Sequence, residues 1–130
     1  MTASVLSQLL DHARQDSRVE CCGFLAGSDG IITRAFPAEN IAANAATSYE
    51  VATKEIVRVT REIRAAGLEM SGIYHSHPNG RCEPSETDVA TVGYPDVAYF
   101  IISPLADPGK AVRAFLIQEG HVAELKLLIV

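Results

Sequence analysis

Hydrophobic positions along the chain follow two periods, and the switch between them marks out the elements. Val5, Leu6, Leu9, Leu10 and Ala13 recur at helical spacing and predict an amphipathic helix over about 3 to 16. Val19 to Ala26 then reads as a strand, Gly27-Ser28-Asp29-Gly30 as a hairpin turn, and Ile31 to Phe36 as its return strand. Pro37 to Ser48 is rich in small residues with little period, so it reads as a loop, with a short strand at Tyr49 to Val51 after it. Ile56, Val59, Ile63 and Ala66 form the apolar stripe of a second helix over about 53 to 66, and Gly67 stands where a left-handed cap belongs. Arg58 and Glu62 are four apart on its polar side, a pair contributing ~0.3 kcal/mol.

The second half repeats the alternation. Leu68 to Tyr74 predicts a strand running into His75, followed by a polar loop over 76–84 and a short helix from Ser85 to about Val92. Val97 to Ser103, Val112 to Gln118 and His121 to Val130 complete the set as strands, separated by turns at Pro104 to Gly109 and Glu119-Gly120. Strands mixed with about three helices, without strict βα alternation, indicate an α+β fold. No repeat, low-complexity tract or linker interrupts residues 1–130, so one domain is expected.

Composition narrows the partners more than the fold. A net charge of −5 argues against a nucleic-acid backbone as principal partner. No segment approaches the ~20 consecutive apolar residues of a membrane span, and Met1-Thr2-Ala3-Ser4 opens no basic-then-apolar export signal. The 3 cysteines, an odd number with Cys21 and Cys22 adjacent, make no disulfide framework and fit a reducing cytoplasm.

The chemistry concentrates in His75-Ser76-His77-Pro78-Asn79-Gly80-Arg81-Cys82-Glu83-Pro84-Ser85-Glu86-Thr87-Asp88. Residues i and i+2 of a strand point to one side, so the imidazoles of His75 and His77 can reach a single ion, although a His-x-His at a strand end is also compatible with two surface histidines. Ser85 and Asp88 have the spacing of a helix N-cap and its first turn. That capping arrangement is compatible with Asp88 donating an oxygen to the same ion. Three protein donors plus water is the arrangement of catalytic rather than structural zinc. Glu20 opens an otherwise apolar strand, either as a solvated rim residue or as a proton acceptor beside the ion. Cys22 shares its face by parity and reads as a small packed hydrophobe. Cys82 reads as a bystander in the loop, and His12 and His121 as surface residues.

The pattern Glu20…His75-x-His77-(seven residues)-Ser85-x-x-Asp88 resembles the JAMM (MPN+) metalloprotease signature, and Glu20-x-Cys22-Gly23 and His75-Ser76-His77-Pro78 resemble its flanking context. The resemblance implies a mixed β-sheet flanked by about three helices, of the cytidine-deaminase-like kind. It implies one catalytic Zn2+ with a bound water, held by His75, His77 and Asp88, with Glu20 as general acid/base and Ser85 hydrogen-bonding near the water and the oxyanion. The activity implied is a peptidase or isopeptidase cutting after the C-terminal Gly-Gly tail of a ubiquitin-like protein. The compact chain looks most like the small prokaryotic members, some of which act on β-grasp sulfur carriers. An assembly module of the MPN type without catalysis is the alternative. A zinc deaminase is disfavoured because its His-x-Glu…Pro-Cys-x-x-Cys pattern is missing.

Overall fold

The computed structural model describes residues 1–94 and 96–130. Its elements are α1 (Ala3–Gln15), β1 (Cys22–Ser28), β2 (Ile31–Ala38), α2 (Thr53–Ala65), β3 (Glu69–Ser76), α3 (Glu86–Ala90), β4 (Ala98–Ile102), β5 (Val112–Gln118) and β6 (His121–Leu125), with a 3₁₀ turn at Pro108–Lys110. The strands form one sheet in the order β2-β1-β3-β4-β5-β6. β3 and β4 run parallel, and the other neighbours are antiparallel. This is the expected α+β architecture.

Alternation along the strands sends side chains to two separate cores. On one face, Val5, Leu9, Leu10 and Ala13 of α1 pack with Cys21, Leu25, Tyr74, Phe100 and Ile102. Val5 and Leu9 are entirely shielded from solvent. On the other face, Val59 and Ile63 of α2 pack with Phe24, Ala26, Ile73, Tyr99 and Ile101. Each fully buried aliphatic side chain of this kind stabilises the fold by about 1.5–3 kcal/mol. Thr2 caps α1 by accepting from the Val5 N–H at 3.2 Å. α2 ends as its sequence suggests: Gly67 takes φ 71°, and the Leu68 N–H returns to the Ile63 carbonyl at 3.1 Å.

The parallel pair decides where the site lies. Parallel neighbours cannot be joined by a tight hairpin, so the chain must leave the end of β3 and cross over before entering β4. α3 lies in that crossover. Residues just beyond β3 and residues at the start of α3 are thereby brought to the same end of the sheet.

Several boundaries differ from the sequence expectation. β1 begins at Cys22, not Val19, because both backbone groups of Glu20 bond to the loop after β2 instead of to a strand: its N–H donates to Ala45 O at 2.7 Å and its carbonyl accepts from Asn40 Nδ2 at 2.9 Å. Gly27 and Ser28 belong to β1, and the hairpin turn is Asp29-Gly30 alone, both at positive φ. Tyr49 to Val51 form no strand; they are an irregular segment whose Glu50 bonds back to Asn40 and Ile41. β6 stops at Leu125 instead of reaching Val130. The final residues turn to the N-terminus, where Ala3 N–H donates to Val130 O and Val130 N–H to Met1 O.

Candidate metal centre

His75 sits at the end of β3, paired in register with Cys22 on one side and Ile101 on the other. It shares the α2 face with Ile73, two residues before it, and is 1% exposed. His77 follows just past the strand, anchored by its N–H to Ile102 O at 2.9 Å, and is also buried. The Asp88 carboxylate arrives from α3. Ser85 caps that helix by accepting from the Asp88 N–H at 3.0 Å, while Asp88 Oδ2 accepts from the Ser85 N–H at 2.8 Å. The reciprocal cap therefore locks the carboxylate's direction as well as starting the helix.

That direction brings Asp88 Oδ2 to 3.1 Å from His75 Nε2 and 3.0 Å from His77 Nε2, while the two nitrogens stand 3.1 Å apart. These contacts form a closed triangle, and hydrogens cannot satisfy all of its edges. Only the two ring nitrogens can carry a proton there, and His77 Nδ1 already faces a pure acceptor, Arg81 O, at 3.1 Å. A neutral His77 holding its proton at Nδ1 presents a bare lone pair at Nε2, as a metal-binding histidine does. Donors 2.0–2.1 Å from a tetrahedral zinc lie about 3.3 Å from each other, close to the observed edges. The donor set therefore fits a small divalent cation at its centre.

The electrostatics point the same way. Burial opposes ionisation of Asp88, yet the adjoining His75 and His77 rings hold the carboxyl far below the usual carboxylate range. Burial keeps His75 below the ordinary histidine value. Burial also disfavours charge on His77, but the hydrogen bond and charge of Asp88, with help from Glu20, raise it overall. The cluster is an anionic cage that attracts one positive charge.

Glu20 completes the group. One of its carboxylate oxygens and a nitrogen from each histidine lie within 4.8 Å of one another. Glu20 is 4% exposed, and its Oε1 has no hydrogen-bond partner among the described residues. Burial pushes its carboxyl up to about 7, against the pull of His77 and with some repulsion from Asp88. A buried carboxylate with an unsatisfied oxygen next to a cation cage is suited to hold and release a proton near neutral pH.

Glu20, His77 and Ser85 line one cleft of ≈ 430 Å³, together with Ala46, Thr47, Arg81 and Glu86. The structure thus brings Glu20, His75, His77, Ser85 and Asp88 together. Cys82 lies outside the donor triangle, its thiol directed to Gly80 O at 3.7 Å. Cys22 is fully buried with its thiol pushed up to about 12 by burial. His121 is exposed. His12 is not a surface residue: its Nδ1 lies 2.8 Å from the hydroxyl of the fully buried Tyr74, and burial lowers its pKa. Its place on α1 at the edge of the stripe formed by Val5, Leu9 and Ala13 was the available signal.

Two neighbours were given no role by the sequence. Tyr49 stacks on the His75 ring, with centroids 4.6 Å apart and planes at 24°. Ser76, between the histidines, faces the opposite way and accepts from the Cys21 N–H at 2.8 Å, tying the segment after Glu20 to the end of β3.

Comparison with known proteins gives a consistent result. The profile for prokaryotic homologs of the JAB domain matches residues 2–117. Desampylase of Haloferax volcanii is 36% identical over 110 residues, spanning 80% of this chain and 79% of that protein. CysO-cysteine peptidase of Mycobacterium tuberculosis is 33% identical over 124 residues, spanning 94% of this chain and 84% of that protein. The solution structure of a protein from Desulfitobacterium hafniense superimposes with a TM-score of 0.87 at 31% identity, covering 99% of this chain and 90% of that one.

Proposed function

The chain belongs to the family of prokaryotic JAB-domain proteins, and from that premise we propose that it is a zinc-dependent peptidase or isopeptidase. Its substrate is the amide bond after the C-terminal Gly-Gly tail of a small ubiquitin-like or sulfur-carrier protein. The observation that carries this reading is the closed triangle of His75, His77 and Asp88 with the buried carboxyl of Glu20 beside it, and with Glu20 and His77 lining one cleft. The relatives named desampylase and CysO-cysteine peptidase supply the substrate class.

His75, His77 and Asp88 hold the ion in this reading. When bound, zinc acidifies a water molecule toward a pKa of about 7 and polarises the scissile carbonyl. Glu20 takes the proton at its carboxylate as water attacks, and returns it to the departing amine; such a shuttle contributes ~10²–10⁴-fold in rate. Ser85 Oγ already accepts from the Asp88 N–H, so its hydroxyl proton is free to donate to the oxygen that gains charge. Arg81 contributes through its backbone carbonyl, which orients the His77 ring. The cleft wall at Ala46 and Thr47 is made of small side chains, suited to a narrow glycine tail.

No described helix is long and apolar enough to cross a membrane. We place the protein in the cytoplasm, which the free Cys21, Cys22 and Cys82 support. The decisive experiment incubates the zinc-loaded protein with small β-grasp carriers extended by one residue beyond Gly-Gly, and reads intact mass. Loss of the appended residue, blocked by a chelator, is expected. Cleavage of unrelated peptides with the carriers left intact would refute the substrate assignment.

A further inference from the structure

Glu20 has the chemistry but not the anchorage of a residue in a strand. It lies before β1, and neither of its backbone groups bonds to a sheet neighbour. Something else must fix its carboxyl beside the histidines, because a displacement of about 1 Å in such a group costs on the order of 100-fold in rate.

We propose that Asn40 is the positioning residue that fixes Glu20 at the metal centre, through an amide whose every hydrogen-bonding position is taken by backbone. Asn40 follows the end of β2. Its Nδ2 donates to Glu20 O at 2.9 Å and Ser48 O at 3.0 Å; its Oδ1 accepts from Ala42 N at 3.0 Å and Glu50 N at 3.1 Å. A primary amide has two donor hydrogens and two acceptor lone pairs, so all its capacity is used. Carbonyls lie on one side and N–H groups on the other, which admits only one orientation of the amide. No other residue type reproduces this. Aspartate turns an acceptor toward two carbonyls, glutamine is one methylene too long, and serine offers a single donor.

The consequence reaches the site by two routes. The loop that Asn40 gathers returns to Glu20 a second time, where the Glu20 N–H donates to Ala45 O at 2.7 Å. Asn40 therefore holds the Glu20 backbone from one side, while Ser76, bonded to both backbone groups of Cys21, holds the following residue from the other.

This inference rests on the proton-transfer role given to Glu20 above, and the test separates the two. Wild type, Asn40→Asp, Asn40→Ala, Glu20→Gln and the Asn40→Ala/Glu20→Gln double variant are compared as zinc enzymes on a tail-extended carrier and, separately, after loading with Co2+. Both Asn40 variants are expected to bind one ion yet lose about 100-fold in kcat. The double variant should be no slower than Glu20→Gln alone, since Asn40 acts through Glu20. The visible absorption of the Co2+ forms should move in both Asn40 variants in the direction that Glu20→Gln moves it. The near-isosteric Asn40→Asp carries the test if Asn40→Ala does not fold. An Asn40 variant within threefold of wild type, losses that multiply in the double variant, or an unchanged Co2+ spectrum overturns the proposal. Should wild type cut no carrier while the Co2+ spectra still shift together, the substrate reading falls and the assignment of Asn40 stands.

Discussion

Replacing Glu20 with glutamine should remove nearly all turnover and, in the metal-free protein, make the fold more resistant to alkaline pH. Burial raises the Glu20 carboxyl from an ordinary 4.5 to about 7. The folded state thus binds this proton more tightly than the unfolded state does. Between those two values the native protein carries more protons, so stability falls as pH rises, and the penalty is complete above about 7. At about 1.4 kcal/mol per tenfold in proton affinity, the gap amounts to about 3 kcal/mol, of which roughly 2 accrues between pH 5 and pH 8. Glutamine cannot ionise and escapes it. The assay is urea unfolding of wild type and Glu20→Gln in excess chelator at both pH values, taking the change in their stability difference. Glutamine's own unmet amide adds a constant offset that cancels in this comparison. The variant should gain about 2 kcal/mol on wild type across that range. Parallel stability–pH curves would show that Glu20 is not a desolvated carboxyl and would remove the basis for its role as a neutral-pH base.

Three further outcomes follow from the same geometry. His77→Ala should lose both bound zinc, read by metal analysis after gel filtration, and all turnover, whereas Glu20→Gln should keep its zinc. Ser85→Ala should retain the metal and fold but lose about 10²–10³-fold in kcat, as removal of an oxyanion donor does. It should also be destabilised by about 1 kcal/mol in chemical denaturation from loss of the α3 cap. Tyr74→Phe removes the hydroxyl that meets His12 at 2.8 Å and should cost about 1 kcal/mol in stability while leaving turnover intact, since both lie on the α1 face, away from the metal centre.

The sequence by itself determined most of the elements and the chemical cast. Helical spacing marked α1 and α2 because each buries a single stripe against a sheet, and alternation marked the strands for the same reason. The cluster from His75 to Asp88 was legible because strand parity and helix capping are local rules: parity aims the imidazoles, and the Ser85–Asp88 spacing aims the carboxylate. Glu20 was legible only through resemblance to a known signature, since nothing within 20–75 states that the two ends meet. Tertiary structure decided that meeting. The pairing of Cys22 with His75 across β1 and β3 brings Glu20 to the two histidines, and the parallel β3–β4 pair forces the crossover that returns Asp88 to the end of β3. It also decided what the local pattern misassigned. Tyr49 to Val51 alternate like a strand, yet their backbone partners lie in the loop gathered by Asn40. The apolar tail after Leu125 reads as more strand, yet it bonds to the N-terminus. His12 reads as a surface residue until Tyr74 is found beneath it. Each of these depends on a partner distant in the chain, and no local period carries information about distant partners.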